Sequence, residues 1–317
     1  MRLVYFGTPA LAVPALTRLV DEGRRPLLVV TRRDRPKGRG LKLGPSPVRV
    51  AAEARGIPVA TPARVGAPEE LERLRALEPD LILLAAYGQI LSPELLAVPR
   101  IGALNLHFSL LPRHRGASPI QAAILAGDQE TGVTTMWMTE GLDEGPLFSS
   151  CRISIGADED AGSLTARLAE VGAACLSETL TKIERGEVIR EIQDSSAATY
   201  APKLAREDSR LSLLDAPSLF ARKVRAFAPK PGAYLDLERG GSLQVLAASP
   251  GKSAAGPAPG TVLALDRAQG LEAALGQGSV WLRRVRQSGR NEMSGFDYAN
   301  GARLNTGSLL PVKDAGR

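Results

Sequence analysis

Leu3-Val4-Tyr5-Phe6-Gly7-Thr8-Pro9, with the amphipathic stretch Ala10–Glu22 and the apolar Pro26–Val30 after it, reads as strand, helix, strand. A short apolar run that stops at Gly-Thr-Pro has the length of a buried strand, and a helix-period stretch between two such runs is the crossover that parallel strands require. The unit recurs along the first half of the chain. Glu69–Leu77 carries charges on one side and leucines on the other, and Leu81–Ala85 is a further buried strand. Glu94–Leu96 starts a short helix with Pro93 in the first turn, where a missing N–H costs nothing, and Ala103–His107 is a strand that ends in polar residues. Ser118–Leu125 and Leu164–Arg185 read as helices, with the strand Val133–Met138 between them. This alternation predicts an α/β domain of the doubly wound, Rossmann-like kind with a mainly parallel sheet.

The pattern changes near residue 191, where Ser195-Ser196-Ala197-Ala198 leads into a charged stretch without periodicity. A first domain is expected over 1–190, a linker over 191–208 and a second, smaller domain over 209–317. In that second part Leu219–Phe227 reads as a helix. The strands Ala233–Leu237, Leu243–Ala247, Thr261–Leu265 and Val280–Arg284 are separated by glycine-rich turns, the pattern of a small β-barrel. Ala248–Pro259, rich in Ser, Ala, Gly and Pro, is expected to be an exposed hairpin loop.

A chain of 317 residues, 44% hydrophobic and 23% charged, has the composition of a globular protein with room for two cores. Its net charge of +6 and isoelectric point near 9.5 suit a polyanionic partner without requiring one. Two cysteines, Cys151 and Cys175, lack metal-ligand spacing, so neither a disulfide framework nor a zinc site is indicated, and no metal is expected. Met1-Arg2 runs into an apolar stretch too short for a signal peptide, and no apolar run approaches the roughly 20 residues of a membrane helix. A cytoplasmic protein without membrane contact is expected, and nothing demands more than a monomer.

The chemistry-bearing stretch is Asn105-Leu106-His107-Phe108-Ser109-Leu110-Leu111-Pro112-Arg113-His114-Arg115-Gly116. It lies at the C-terminal end of a strand, where open α/β sheets place their ligands. Asn105 and His107 are two apart on an extended chain and share a face. Taken alone they are also what strand-end polar groups satisfied by nearby backbone look like. A second polar group follows at Gly141-Leu142-Asp143-Glu144-Gly145, whose aspartate in isolation reads as a turn residue.

Together these elements resemble the folate-dependent formyltransferases, which carry Asn-x-His, then Ser-Leu-Leu-Pro, then an aspartate in a Gly-Leu-Asp-x-Gly loop. Gly132-Val133-Thr134-Thr135 fits the same signature. Phe6–Pro9, Asp34–Gly40, Pro45–Val48, Ala86–Leu91, Thr199–Leu204 and Pro231–Tyr234 narrow the resemblance to the branch acting on methionyl initiator tRNA, across essentially the whole chain.

The resemblance implies a reaction in which an amine attacks the formyl carbon of 10-formyltetrahydrofolate, and negative charge gathers on the carbonyl oxygen. Preorganised donors stabilise that charge, a part assigned to Asn105 and His107, while Asp143 is expected to hold the His107 ring and raise its pKa, favouring the protonated donor or making the ring a better proton acceptor. The attacking α-amino group has an ordinary pKa near 8, so a strong base is not essential. Ser109, Leu110, Leu111 and Pro112 are expected to line the folate site, with Tyr87, Gly88, Gln89, Ile90 and Leu91 and the Asp143 loop around the pterin. Gly7-Thr8-Pro9 is not a dinucleotide fingerprint, so no nicotinamide or flavin is implied.

Between Arg32 and Arg49 there are seven basic residues and one acidic one, with Pro36, Gly38, Gly40 and Gly44 arguing against a regular element. From charge alone this is a solvated loop; by resemblance it enters the acceptor end of the tRNA, with Arg35, Lys37, Arg39 and Lys42 as contacts. The C-terminal domain resembles the family's OB-like barrel, a fold often used for nucleic acids. Its basic residues Arg222, Lys223, Arg225, Lys230, Arg283, Arg284, Arg286 and Arg290 are candidates for a second track for tRNA phosphate, with Arg222 and Arg225, three apart on a helix, the better ones.

Three positions depart from the family pattern. Phe108 stands where glycine is common, and points either into the formyl pocket or into the core. His114 replaces a frequent aromatic and is expected at the surface or in support, and Lys230 replaces a common tryptophan. Other readings are a folate formyltransferase acting on glycinamide ribonucleotide or a nucleotide-sugar amine, and a non-catalytic tRNA-binding protein on the same fold.

Overall fold

In the computed structural model, which describes residues 1–37, 42–253 and 256–313 and all of their side chains but those of 35–37 and 42, the first apolar run becomes β1 (Leu3–Gly7). Its Leu3, Val4, Tyr5 and Phe6 are each at most 1% exposed, as expected of a parallel strand covered on both faces. Six strands join it: β2 (Leu28–Val30), β3 (Val59–Ala60), β4 (Leu81–Ala85), β5 (Gly102–His107), β6 (Glu130–Trp137) and β7 (Leu147–Ser154). The order is β7-β6-β5-β4-β1-β2-β3. Pairing is parallel from β3 through β5 and antiparallel for β5–β6 and β6–β7. The chain is thus a doubly wound, mainly parallel α/β fold in this part, with an antiparallel edge. Because strand order reverses between β1 and β4, the carboxyl ends of the central strands open a crevice for ligands.

One face of the sheet packs Val4, Phe6, Val30 and Ile82 against Leu71 and Leu74 of the helix Pro68–Ala76 and Leu95 of the helix Pro93–Leu96. Each of these buried side chains contributes about 1.5–3 kcal/mol relative to exposure. The first of the two helices has Glu69 and Glu70 in its first turn and Arg73 and Arg75 in its last, which complements the helix dipole. The second is capped by Ser92, whose hydroxyl accepts from Leu95 N–H.

Some elements differ from their sequence reading. The stretch expected as one helix from Ala10 opens as a 3-10 turn, Ala10–Ala12, before the helix Val13–Asp21. The strand expected from Pro26 begins at Leu28. The segment expected to lack regular structure pairs its backbone as a hairpin, Arg35–Lys37 with Lys42–Gly44, because Pro36 and Gly44 sit at positions a two-stranded ribbon tolerates. Arg39 lies outside the described residues. Beyond the hairpin, Ser46 caps the helix Pro47–Glu53, accepting from Arg49 N–H at 2.9 Å, and its hydroxyl also meets that of Thr31 at 2.7 Å.

Two compact units make up the chain: Met1–Pro119 with Glu130–Ser154 and Thr165–Pro202, and Ile120–Gln129 with Ile155–Leu164 and Lys203–Arg317. The second contains the helix Pro217–Ala226 and the strands β8 (Tyr234–Asp236), β9 (Ser242–Pro250), β10 (Val262–Asp266), β11 (Gly270–Ala274), β12 (Ser279–Gln287) and β13 (Met293–Ser294). They form an antiparallel sheet in the order β8-β9-β12-β11-β10, with β13 on β12. The segment 308–313 links the two ends of this sheet: Leu309 bridges to Thr261 beside β10, and Val312 bridges to Leu237 beside β8. Ala248–Pro250 belongs to β9, paired with Leu282, Trp281 and Val280 of β12, so the expected loop is shorter than composition suggested; cross-strand pairing outweighs the Ser and Pro content.

Candidate active site

Asn105 and His107 stand at the carboxyl end of β5 with their side chains buried, 7% and 5% exposed. Asp143 reaches them from the connection between β6 and β7. Its Oδ1 accepts from Asn105 Nδ2 at 3.3 Å, its Oδ2 accepts from the backbone N–H of Gly116 at 2.8 Å, and Oδ2 lies 3.6 Å from His107 Nδ1. Asp143 is held at φ 51°, a left-handed conformation that non-glycine residues adopt at a cost and that recurs at functional sites. Gly116 has φ 118°, and a Cβ there would stand 2.5 Å from the carbonyl oxygen of Ala201, so the N–H that meets Asp143 is presented by a position only glycine fills.

The other ring nitrogen of His107, Nε2, lies 3.0 Å from the carbonyl oxygen of His114. A carbonyl only accepts, so Nε2 carries the proton in the neutral ring and Nδ1 keeps its lone pair. Burial pushes the pKa of His107 below its ordinary value, against the opposing pull of Asp143 and the carbonyl of His114, with the charge of His114 adding slightly to the lowering. Asp143 acts upward on this pKa as expected, but desolvation outweighs it, so the net direction is downward. Burial thus favours the uncharged imidazole, whose Nδ1 faces the Asp143 carboxylate.

The turn after β5 is fixed from within. Ser109 is fully buried and donates to the carbonyl oxygen of Arg113 at 2.6 Å, while Thr134 of β6 donates to the carbonyl of Ser109 and accepts from the N–H of Leu111. Phe108 is 4% exposed and lies against Gly172 of the helix Ala161–Glu184, so its ring enters the core rather than the formyl pocket. His114 is 7% exposed and not at the surface; its backbone oxygen orients His107.

Of the remaining candidates, Leu110 and Pro112 are partly exposed, and Leu111 is buried. Tyr87 and Leu91 lie in the apolar core, where Tyr87 meets Phe6 edge to face at 5.2 Å and its phenol, pushed up to about 12 by burial, finds no hydrogen-bond partner among the described residues. Gly88 accepts from Arg32, Gln89 accepts from the N–H of Val65 at 3.2 Å, and Ile90 is 88% exposed. Among the basic candidates, Arg222 and Arg225 share one side of the helix Pro217–Ala226, donating to the carbonyls of Ala126 and Glu159 at 3.3 and 3.2 Å beside a cavity of about 320 Å³. Arg283, Arg284, Arg286 and Lys230 are exposed.

Sequence reasoning missed Gln193, placed in the expected linker. It is 6% exposed, accepts from buried Arg115 at 2.8 and 3.1 Å, and donates to the carbonyls of Asp143 and Gly145. Nothing in its local pattern announces it. Among the described residues there is no cluster of three or more potential metal ligands, and no helix is long and apolar enough to cross a membrane.

A family profile described as formyl transferase matches residues 1–180, and one described as formyl transferase, C-terminal domain, matches 203–303. Methionyl-tRNA formyltransferase of Halorhodospira halophila is 48% identical, covering 96% of this chain and 97% of its own. That of Citrifermentans bemidjiense is 42% identical, covering 99% and 98%. Among solved structures, HypX from Aquifex aeolicus in complex with tetrahydrofolic acid superposes with a TM-score of 0.62 at 20% identity, over 94% of this chain and 47% of that one. An N-formyltransferase from Helicobacter canadensis with folinic acid and dTDP-3-aminofucose gives 0.63 at 16%, over 89% and 98%; at these identities the likeness is one of fold. Two profiles that together span most of the sequence, and relatives of equal length at more than 40% identity, place this chain in the methionyl-tRNA formyltransferase family.

Proposed function

We propose that this chain transfers the formyl group of 10-formyltetrahydrofolate to the free amino group of methionyl initiator tRNA, giving formylmethionyl-tRNA for translation initiation. The observation that carries the reading is the meeting of Asn105, His107 and Asp143 at the end of β5. The donor set fits a formyl donor. Asn105 has two amide hydrogens and commits one to Asp143, which leaves the other for the carbonyl oxygen on which negative charge develops. The bound folate supplies an acyl group already activated at nitrogen.

His107 acts as proton carrier. Its Nδ1 lone pair takes a proton from the amine as the new N–C bond forms, and the resulting imidazolium is stabilised by Asp143 at 3.6 Å. The same proton is then available to the departing folate nitrogen as the old C–N bond breaks. Burial favours this cycle, because a ring kept neutral in the resting site is ready to accept. Of the two parts open to His107, oxyanion donor and proton acceptor, this reading takes the second and leaves Asn105 as the oxyanion's side-chain donor.

The folate is placed against Ser109–Pro112 and Tyr87–Leu91. Ser109 and Tyr87 serve by shaping those segments, since one hydroxyl is committed to Arg113 and the other lies in the core, while Ile90, Leu110 and Pro112 present side-chain surface to a ligand. The tRNA is assigned to the basic segment bearing Arg35, Lys37, Arg39 and Lys42, and to Arg222 and Arg225, with phosphate pairing fixing position rather than sequence. A catalytic domain over 1–190, a connector over 191–208 and a tRNA-binding domain over 209–317, acting as a monomer in the cytoplasm where charged tRNA and reduced folates are found, complete the reading. The test is formyl transfer from 10-formyltetrahydrofolate to charged initiator tRNA. Labelled formylmethionyl-tRNA is expected; transfer only to glycinamide ribonucleotide or to a nucleotide-sugar amine overturns the proposal.

A further inference from the structure

The loop that carries Asp143 is tied down from outside the two strands it joins. Trp137, the last residue of β6, donates its indole N–H to the carbonyl of Ile189 at 2.7 Å and lies beneath the guanidinium of Arg190 at 4.4 Å. Leu147 and Glu191 exchange both backbone hydrogen bonds, at 2.7 and 3.0 Å. Two residues on, the Gln193 amide spans the gap to the site: its Oε1 accepts from Nε and Nη2 of Arg115, and its Nε2 donates to the carbonyls of Asp143 at 2.9 Å and Gly145 at 2.7 Å. Gly145 stands against the carbonyl of Trp137 with no room for a Cβ. Asp143 is thereby gripped at its backbone by Gln193 and at its carboxylate by Gly116, the neighbour of Arg115.

We infer that Gln193 is a positioning residue for the transfer reaction: it holds Asp143 in its left-handed backbone conformation against His107 by bridging the buried Arg115 to the 143–145 loop. The chemistry of an amide suits the place. One side must accept from a guanidinium that is 3% exposed, and the other must donate to two carbonyls, and no other uncharged side chain of that length does both. The inference rests on the proposed formyl transfer, since it concerns the geometry of that reaction's acid–base group.

The discriminating variant is Gln193→Glu. Its carboxylate still accepts from Arg115, so the buried cation keeps its partner and the fold is retained, but it offers no N–H to Asp143 and Gly145 and repels both carbonyls. The titratable groups bearing on His107 are Asp143, from the β6–β7 connection, and His114, from the turn after β5. Displacing Asp143 weakens its upward pull on His107, and the carboxylate introduced at 193 adds one of its own, so the acid limb of the kcat profile is expected to move from its wild-type position. For Gln193→Glu the expected result is a fall in kcat on the order of 100-fold, the scale set by ångström-sized misplacement, with KM for 10-formyltetrahydrofolate little changed. Gln193→Asn, one methylene short, is expected to recover part of kcat relative to Gln193→Ala. Wild-type formylation of initiator tRNA is the control: its absence removes the functional reading. With an active wild type, a Gln193→Glu enzyme of normal thermal stability, normal kcat and unmoved pH profile overturns the inference and leaves Gln193 as a structural partner of Arg115 alone.

Discussion

Two strands of the molecule treat their polar residues in opposite ways. β5 (Gly102–His107) is buried along almost its whole length and keeps Asn105 and His107 inside; β12 (Ser279–Gln287) buries Val280, Leu282 and Val285 and turns Arg283, Arg284 and Arg286 to solvent. Inside, each polar atom must have a partner, so Asn105, His107 and Asp143 come with a fixed geometry and a low-dielectric setting in which each charge counts heavily. Outside, charge is screened, and Arg284 paired with Glu292 at 2.8 Å is an ordinary surface ion pair. In the proposed reading, chemistry is concentrated in the first strand, and affinity for a polyanion is spread over surfaces like the second.

The contrast sets an order of expected effects. His107→Ala should lower kcat by roughly 100- to 1,000-fold with KM for either substrate little altered; single-turnover formylation measures it, and an unchanged kcat would break the contrast by showing that burial at β5 is only structural. Asp143→Asn removes the charge that draws the His107 pKa upward. The wild-type acid limb is expected below pH 6.5, since burial already lowers this pKa, and in the variant it should move lower still, with kcat reduced about 10- to 100-fold. Activity that instead falls as pH rises through this pKa would mean that His107 works as the protonated form.

At the surfaces proposed to bind the polyanion the effects should be smaller and salt-dependent. Arg39→Glu is expected to weaken use of initiator tRNA by about tenfold at low salt and to flatten the salt dependence of kcat/KM, leaving folate binding unchanged. Loss of folate affinity instead would assign that segment to the folate site. Arg283→Ala, on the exposed face of β12, should cost no more than about threefold in tRNA affinity and about one unit of salt slope; a larger loss would make this strand a concentrated site like β5.

How much of this was legible beforehand depends on where each signal resides. The apolar runs Leu3–Phe6 and Leu81–Ala85 announced buried parallel strands because both of their faces are covered. β7 was missed: its burial alternates as it forms the sheet's antiparallel edge, and Ser149, Ser150 and Arg152 dilute the apolar pattern. Asn105, His107 and Asp143 could be named as candidates because their motifs are local. Gln193 could not, because its four hydrogen bonds all go to residues 48 to 78 positions away, and its own surroundings, Ile192 and Asp194, read as a connector.

The sequence by itself determined the doubly wound domain and the second β domain, and named the candidates for the reacting groups, since periodicity and short motifs are properties of neighbouring residues. Only the tertiary structure decided the state of those groups. Whether His107 rests neutral or charged depends on a competition between burial and the field of Asp143, and both are set by where β5, the β6–β7 connection and the turn carrying His114 meet. A pKa is fixed by everything that surrounds a group in space, and no stretch of chain contains that by itself.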